Sequence, residues 1–271
     1  MIKNYYDIIV FGGSISAVRY ASLNRKQGKS VLLINNYGFL GGAVTESYSC
    51  MQSIGDLNDN LINKLIKQNF YKDEKSVLLN PEVVKIILQQ ELLSSKVDIL
   101  FHVTPESISF ENESAIIYLI AKEGKISAAC NYIIDGTEHG QLIMSYSNKN
   151  FLCSNKVNMF LTKPNCKMHF ENSEKVRSVE LNDGRVWTSI KTEQKNYEFY
   201  DYGEHELILH FEQSIKSSGS RIQLLPVRSE AEVSIEFPKI NNQLFHLSDL
   251  CEKNYSISEE LVKCQSITKM L

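Results

Sequence analysis

A buried strand that leads at once into a glycine turn and a helix is the feature that most constrains how this chain folds. Asp7–Phe11 is a β-branched run with nothing polar after its first residue, which is typical of a strand covered on both faces in a parallel sheet. Gly12–Ala17 follows directly, and a helix-favouring stretch continues over residues 18–27. Gly28 is placed as a helix C-cap, and Ser30–Ile34 is a second buried strand. The sequence therefore predicts a βαβ unit.

The turn is a variant of the pattern G-x-G-x-x-G, with Gly12 first, Ser14 second and Ala17 third. The first position allows the tight turn, the second lets the backbone approach a pyrophosphate, and the third lets helix and strand pack closely. The helix that starts here directs free N–H groups at an anion. We expect a cofactor to contact Gly12, Gly13, Ser14, Ser16 and Ala17, with the Ser14 hydroxyl able to donate to phosphate. The alternative is a tight turn that binds nothing.

Amides stand at the end of the second strand, where dinucleotide-binding domains usually carry a carboxylate. Asn35 and Asn36 lie about 23 residues after Gly12, where Asp or Glu normally binds the ribose hydroxyls. An amide can bind a hydroxyl, but the stronger charge-assisted bond is lost. No arginine is adjacent to indicate a 2′-phosphate. We expect Asn35 and Asn36 to contact a dinucleotide with reduced affinity.

Two further motifs point to a family. The sequence YDIIVFGG at residues 6–13 is followed by YGFLGGAVT at residues 37–45 and by YIIDGTEHG at residues 132–140. In this order they resemble the FAD-dependent oxidoreductases of the glutathione-reductase-like superfamily, over about residues 5–145. The resemblance implies FAD as the cofactor, because a plain NAD-binding domain has no need of a second glycine pair.

The same resemblance implies further cofactor contacts. These are Gly41, Gly42 and Thr45 beside the flavin and its phosphate, Val103 at the adenine, and Gly136 and Thr137 at the dinucleotide. Glu138 and His139 replace the glycine and acidic residue that are usual in the third motif. The flavin ring is expected just after the second glycine pair, near Tyr48 and Cys50. Cys50 has no partner in C-x-x-C or C-x4-C spacing, so a disulfide reductase is disfavoured, and packing roles for Tyr48 and Cys50 are the alternative.

The second half of the chain has the alternation of antiparallel strands. Asn182–Gly184 is a hairpin turn signal between two short strands. Tyr197–Phe211 and Arg221–Phe237 are predicted strands, and Ser256 with Glu259 forms a capping box for a last short helix.

We therefore expect an α/β fold with two parts. Residues 1–150 form a Rossmann-like FAD-binding domain with a parallel sheet, and residues 151–271 form a smaller, partial, mainly antiparallel β domain for substrate or interface. Members of the family return to the nucleotide-binding sheet near their C-terminus with a strand and a glycine-aspartate-like segment, and the sequence shows no such element. A homo-oligomer or a second subunit that completes the flavin site is one interpretation. A degenerate relative that binds a partner protein without catalysis is the other.

The expected function is hydride transfer between a small organic substrate and bound FAD, with no catalytic residue assigned. His139, His169, His205 and His210 are candidates for proton transfer or hydrogen bonding, and Arg221 and Arg228 for binding a substrate carboxylate. Ordinary surface roles are the alternative for His139, Arg221 and Arg228.

Composition excludes several other classes. A net charge of −3 gives no reason to expect nucleic acid or an anionic membrane as partner. No apolar run near the start is long enough for a signal peptide or a membrane span, so we expect a cytoplasmic protein. The cysteines and histidines lack metal-ligand spacing, and no metal is predicted. Hydrolase and NTPase motifs are missing from the sequence.

Overall fold

The structure is a computed structural model, and it describes residues 3–54, 59–111, 113–138, 140–146, 153–162, 176–192, 220–227, 230–233, 240–251 and 261. Within these residues the α-helices are α1 Ile15–Lys26, α2 Ala43–Glu46, α3 Asn60–Lys67, α4 Pro81–Ser95 and α5 Gln141–Tyr146. The strands are β1 Tyr5–Phe11, β2 Val31–Asn35, β3 Met51–Ser53, β4 Asn69–Lys72, β5 Ser76–Leu79, β6 Asp98–Phe101, β7 Thr104–Phe110, β8 Ala115–Ala121, β9 Gly124–Asp135, β10 Cys153–Thr162, β11 Val176–Glu180, β12 Arg185–Thr192, β13 Ile222–Leu224, β14 Glu230–Val233 and β15 Leu244–His246.

The first sheet has seven strands, with the order β6-β2-β1-β9-β8-β7 and with β15 also paired to β9. Strands β6, β2, β1, β9 and β15 are joined by parallel pairings, whereas β8 pairs antiparallel with both β9 and β7. Helix α1 connects β1 to β2, which pair from Ile8↔Val31 to Phe11↔Ile34. The predicted βαβ unit and the α/β, Rossmann-like fold class are confirmed.

Both faces of this sheet are covered, as the continuous apolar run of β1 predicts. Ile8 and Val10 pack in one hydrophobic cluster with residues of α1 and α4. Ile9 and Phe11, on the opposite face, pack in a second cluster with Leu142 of α5. The elements after β1 and β2 are thereby fixed relative to one another.

Strand β15 corrects the expectation that the chain does not return to the first sheet. Leu244, Phe245 and His246 pair in parallel with the last three residues of β9, opposite Ile133, Ile134 and Asp135. β8 pairs along the same edge of β9 only as far as Cys130, which leaves the end of that edge to β15. A strand of three residues is too short to show a hydrophobic period, so the sequence analysis missed it.

The second sheet is antiparallel, with the order β11-β12-β10-β13 and with β14 also paired to β10. The hairpin predicted at Asn182–Gly184 is confirmed, since β11 and β12 pair around it. The predicted strand Arg221–Phe237 contains β13 and β14, which both pair with β10. The predictions at Tyr197–Phe211, Ser256 and Glu259 lie outside the described residues.

A third, antiparallel sheet has the order β3-β5-β4.

None of the helices in the described ranges is long and apolar enough to cross a membrane.

Candidate functional site

Three of the predicted segments lie at one edge of the first sheet, because β1, β2 and β9 are parallel and end together. Gly12 N donates to the carbonyl of Ile34 at 2.8 Å, and Gly136 N donates to the carbonyl of Phe11 at 2.7 Å. In open α/β sheets the ligand crevice lies outside this edge. The structure therefore brings the β1–α1 turn, the end of β2 and the segment after β9 together.

Glycines allow the first and third segments to touch. Gly12 has φ +104°, and an ideal Cβ on it would lie 2.8 Å from the backbone nitrogen of Thr137. An ideal Cβ on Gly136 would lie 2.6 Å from the Cβ of Ala17. Any larger residue at these two glycines would separate α1 from β9. Close packing at the third motif position, Ala17, is therefore present as the pattern predicts.

Ser14 connects the two segments through its hydroxyl. Ser14 Oγ caps α1 by accepting from Ala17 N at 3.1 Å, and it donates to the carbonyl of Gly136 at 2.8 Å. It also lies 3.1 Å from Ser16 Oγ. A hydroxyl has one hydrogen, so in this arrangement Ser14 holds the turn to β9 and does not donate to a phosphate. The backbone N–H groups at the start of α1 are the donors that would bind an anion.

The second glycine pair lies against the first turn. Gly41 N donates to the carbonyl of Gly13 at 2.7 Å. Gly41 has φ +121°, and an ideal Cβ on it would lie 2.3 Å from Thr45 Cγ2. Thr45 is buried and donates its hydroxyl to the carbonyl of Leu40 at 2.9 Å. The structure thus brings Gly41 to the crevice, while the Thr45 hydroxyl is used to fold its own loop.

The two amides after β2 have different surroundings. Asn35 is buried and donates to the carbonyl of Phe39 at 2.7 Å, so it shapes the loop that leads to the glycine pair. Asn36 donates to Gln141 Oε1 at 3.4 Å. Asn36 Oδ1 is buried without a hydrogen-bond partner in the described part of the chain. An unpaired buried acceptor is costly, and a ribose hydroxyl is a donor that would satisfy it.

Glu138 lies where all three segments meet. It is buried, and its Oε1 accepts a hydrogen bond from the backbone nitrogen of Ala43. An ideal Cβ on Gly42 would lie 2.1 Å from that same oxygen and 2.9 Å from the Cα of Ser14. The sequence analysis noted Glu138 as a departure from the family and did not predict this contact.

Asp135 and Thr137 form the support beneath the crevice. Thr137 donates its hydroxyl to Asp135 Oδ1 at 2.6 Å, and the backbone nitrogen of Leu142 donates to Asp135 Oδ2 at 2.8 Å. Complete burial raises the pKa of Asp135 to about 6, although these hydrogen bonds oppose the rise. His246 of β15 places Nε2 at 2.9 Å from the carbonyl of Thr137. Thr137 is therefore held from two sides.

Val103 follows β6 and is buried in the same cluster as Phe11. Its contact with adenine stays a prediction. The neighbouring His102 has φ +57°, and its imidazole covers Gly38, whose ideal Cβ would lie 2.3 Å from His102 Nε2. The loop after β2 and the loop after β6 are thus in contact.

The second sheet covers the segment in which the flavin ring is expected. Trp187 Nε1 donates to the carbonyl of Tyr48 at 2.9 Å. The Tyr48 ring packs edge-on against Phe160, with ring centroids 5.3 Å apart. Burial first, and then nearby Glu82, raise the pKa of Tyr48. These contacts favour the packing role for Tyr48.

Cys50 is also a packing residue. Its side chain is fully buried, and burial raises the pKa of the thiol well above its ordinary value. The thiol donates to the carbonyl of Val44 at 3.5 Å. A protonated, inaccessible thiol is not a redox nucleophile.

Glu230 and Asn158 are buried polar residues that the sequence analysis missed. Asn158 Nδ2 donates to the carbonyl of Ser47 at 2.9 Å and to Glu230 Oε2 at 3.0 Å. Lys156 Nζ lies 3.7 Å from Glu230 Oε1. Asn158 Oδ1 is buried without a partner in the described residues. The available signal was an amide within the apolar run Val157–Leu161.

The remaining candidates fall in two groups. His139, His169, His205, His210 and Arg228 lie outside the described residues. Arg221 is exposed, and its backbone nitrogen donates to Thr162 Oγ1 at 2.8 Å. The described residues contain no group of three or more His, Cys, Asp or Glu that could hold a metal ion.

The fold and the glycine segments at the carboxyl ends of its parallel strands define a dinucleotide-binding protein. The family model of FAD dependent oxidoreductases matches residues 7–237. The chain belongs to the FAD-dependent oxidoreductase family, and FAD is its cofactor. A comparison with curated protein sequences gives no significant match.

Solved structures show the same fold. A geranylgeranyl bacteriochlorophyll reductase-like protein from Thermoplasma acidophilum has a TM-score of 0.68 at 11% identity, over 96% of this chain and 76% of that chain. A p-nitrophenol 4-monooxygenase from Pseudomonas putida DLL-E4 has a TM-score of 0.62 at 11% identity, over 90% and 72%. A flavoprotein/dehydrogenase from Cytophaga hutchinsonii has a TM-score of 0.59 at 14% identity, over 96% and 75%. The narrower likeness to the glutathione-reductase-like superfamily stays a prediction.

Proposed function

We propose that this chain transfers a hydride between a small organic substrate and bound FAD. The observation that carries the proposal is the convergence of the segments after β1, β2 and β9 on one crevice in a member of this family. Bound FAD supplies the two-electron chemistry, and the protein orients the substrate and excludes water.

The crevice residues fit a dinucleotide at two positions. The N-terminus of α1, reached through the turn at Gly12–Ala17, suits a pyrophosphate. Asn36 Oδ1 suits a ribose hydroxyl. In this proposal Val103 lies near the adenine, Gly41 and Gly42 flank the phosphate and flavin, and the predicted contacts of Asn35, Thr45 and Thr137 are indirect, through the loops they shape.

On the substrate side, the second sheet provides a wall and a buried carboxylate. Phe160 and Trp187 pack on the backbone and ring of Tyr48, which keeps water from the segment after the glycine pair. Glu230 is 2% exposed and is held by Asn158. We assign Glu230 and Asn158 to positioning this segment, and we leave the proton-transfer residue unassigned.

The hypothesis of a second subunit depended on a missing return strand and a missing glycine-aspartate-like segment. Because β15 provides a return strand within this chain, we infer that the chain binds FAD without a partner protein. A non-catalytic relative remains the second candidate, and the buried carboxylate of Glu138 in the crevice is the observation that favours it.

Titration of the purified chain with FAD tests the proposal. We expect quenching of flavin fluorescence on binding. We also expect an absorbance band at about 450 nm in the complex, since this band is a property of the flavin itself. Asn36→Ala should weaken FAD binding about fivefold, because it removes one hydrogen bond worth about 1 kcal/mol. Asn63→Ala, at an exposed position of α3, is the matched control. Absence of saturable FAD binding would refute the proposal, and binding without reduction by any hydride donor would leave only the non-catalytic candidate.

A further inference from the structure

The carboxylate of Glu138 lies where exposed backbone N–H groups of a glycine segment would bind an anion. Its Oε1 accepts from Ala43 N, directly after the second glycine pair. It lies in the notch that Gly42 leaves open, since an ideal Cβ on Gly42 would be 2.1 Å from the carboxylate oxygen. The side chain is 5% exposed. The carboxylate therefore fills this notch from within the chain.

The same notch borders the start of α1. The ideal Cβ of Gly42 would also lie 2.9 Å from the Cα of Ser14, and Ser14 is the N-cap of that helix. Backbone N–H groups and a helix N-terminus together favour negative charge. Glu138 thus provides negative charge at the place where the proposed site would receive a phosphate.

Two anions in one desolvated space repel each other strongly, because little water is present to screen their charges. The pyrophosphate of FAD is negatively charged, and a phosphate oxygen that accepted from Ala43 N would take the place of Glu138 Oε1. A glycine at residue 138 would have neither the charge nor the side chain. Cofactor entry therefore requires the bond between Glu138 and Ala43 to break.

We propose that Glu138 is the residue that sets cofactor affinity in this protein, as an internal anion that competes with the FAD pyrophosphate for the Gly42–Ala43 notch. The proposal rests on the proposed FAD site. It makes the cofactor-free form a stabilised state of the chain, and it makes FAD a weakly held, exchangeable ligand.

The test compares FAD dissociation constants for the full-length chain and for Glu138→Gln and Glu138→Gly, measured by flavin fluorescence quenching and by calorimetry. Both variants should bind FAD at least tenfold more tightly than the unmodified protein. Glu91→Gln is the matched control, since Glu91 is 8% exposed, pairs with Lys26 and lies on α4. Its FAD affinity should be unchanged.

A second readout does not depend on activity. Without FAD, Glu138→Gly should melt below the unmodified protein, because the bond to Ala43 is lost; saturating FAD should raise its Tm more than that of the unmodified protein. If Glu138→Gly does not fold, the isosteric Glu138→Gln carries the comparison.

Equal or weaker FAD binding by the variants overturns this proposal and leaves the proposed function standing. FAD binding by the variants alone supports this proposal, because it shows that Glu138 blocks the site, and it refutes FAD-dependent hydride transfer by the unmodified chain. If neither the unmodified chain nor the variants bind FAD, both the proposal and the proposed function fail.

Discussion

The indole nitrogen of Trp187 donates to the backbone carbonyl of Tyr48 across 2.9 Å, and this bond joins the second sheet to the segment that follows the second glycine pair. Tyr48 has φ +50°, a left-handed conformation that is uncommon outside glycine. Trp187 is 2% exposed and is the single tryptophan of the sequence. It therefore links the second sheet to this segment and is a natural reporter of that contact.

Trp187→Phe should lower the free energy of unfolding by about 2 kcal/mol, because it leaves the Tyr48 carbonyl buried without its donor. Circular dichroism during urea unfolding measures the loss, since the variant has no tryptophan fluorescence. Tyr118→Phe, at an exposed position of β8, should unfold like the unmodified chain. A change below the experimental error for Trp187→Phe would show that the bond contributes nothing to the contact.

Asp135 predicts a pH dependence of stability. Burial raises its pKa to about 6, above the ordinary 3.8, so between these values the folded state holds a proton that the unfolded state has lost. The free energy of unfolding therefore falls as pH rises through this range, by up to roughly 3 kcal/mol, and levels off above it.

Asp135→Asn removes this titration, and its absolute stability also drops because one capping interaction is lost. Urea unfolding of both proteins from about pH 4 to about pH 7 measures the difference between them. That difference should shrink as pH rises, and a difference that stays constant would contradict a raised pKa.

The contact between Gly136 and Ala17 predicts a coupled pair of substitutions. Gly136→Ala should cost about 1–3 kcal/mol, because its ideal Cβ lies 2.6 Å from Ala17 Cβ and the core must shift to admit it. Ala17→Gly alone should cost about 1 kcal/mol as a glycine within a helix. The double variant should be more stable than the sum of the two costs predicts, and a double-mutant cycle measures the coupling. Strict additivity would show that the two residues do not touch.

Three cysteines should resist modification in the folded protein. Cys50, Cys130 and Cys251 are buried, and burial raises the pKa of the Cys130 thiol to about 12. Alkylation needs the exposed thiolate, so peptide mapping after iodoacetamide treatment should find these residues labelled only after denaturation. Rapid labelling of native Cys50 would show that the segment after the glycine pair opens. Cys50→Ser should leave FAD affinity unchanged, in agreement with a packing role.

Local patterns were sufficient to predict the βαβ unit of the first sheet and its glycine turn. The apolar run of β1 and the glycine turn are set by neighbouring residues. The small side chain of Ala17 predicts that helix α1 packs closely on the sheet, although the motif does not identify Gly136 as its partner. Each of these features can be read from spacing and side-chain size within a short stretch of chain.

The contacts that could not be predicted join residues far apart in sequence. Glu138 and Ala43 are 95 positions apart, and Asn158 and Glu230 are 72 positions apart. A polar residue in an apolar run indicates that a buried partner exists, but it does not identify the partner. The role of Asn35 could not be predicted either. An amide at that position can hydrogen-bond a ligand or the backbone of its own loop, and the sequence does not distinguish the two.

The return of β15 has a consequence for how the chain is made. Leu244 pairs with Ile133, so the first sheet stays unfinished on the ribosome while the whole of the second sheet is synthesised. Until Leu244–His246 emerges, the last residues of β9 present an unpaired edge next to Asp135, and such edges are where chains associate wrongly. Closure between such distant segments is slow. The period of synthesis between β9 and β15 is therefore when the unpaired end of β9 is open to association with another chain.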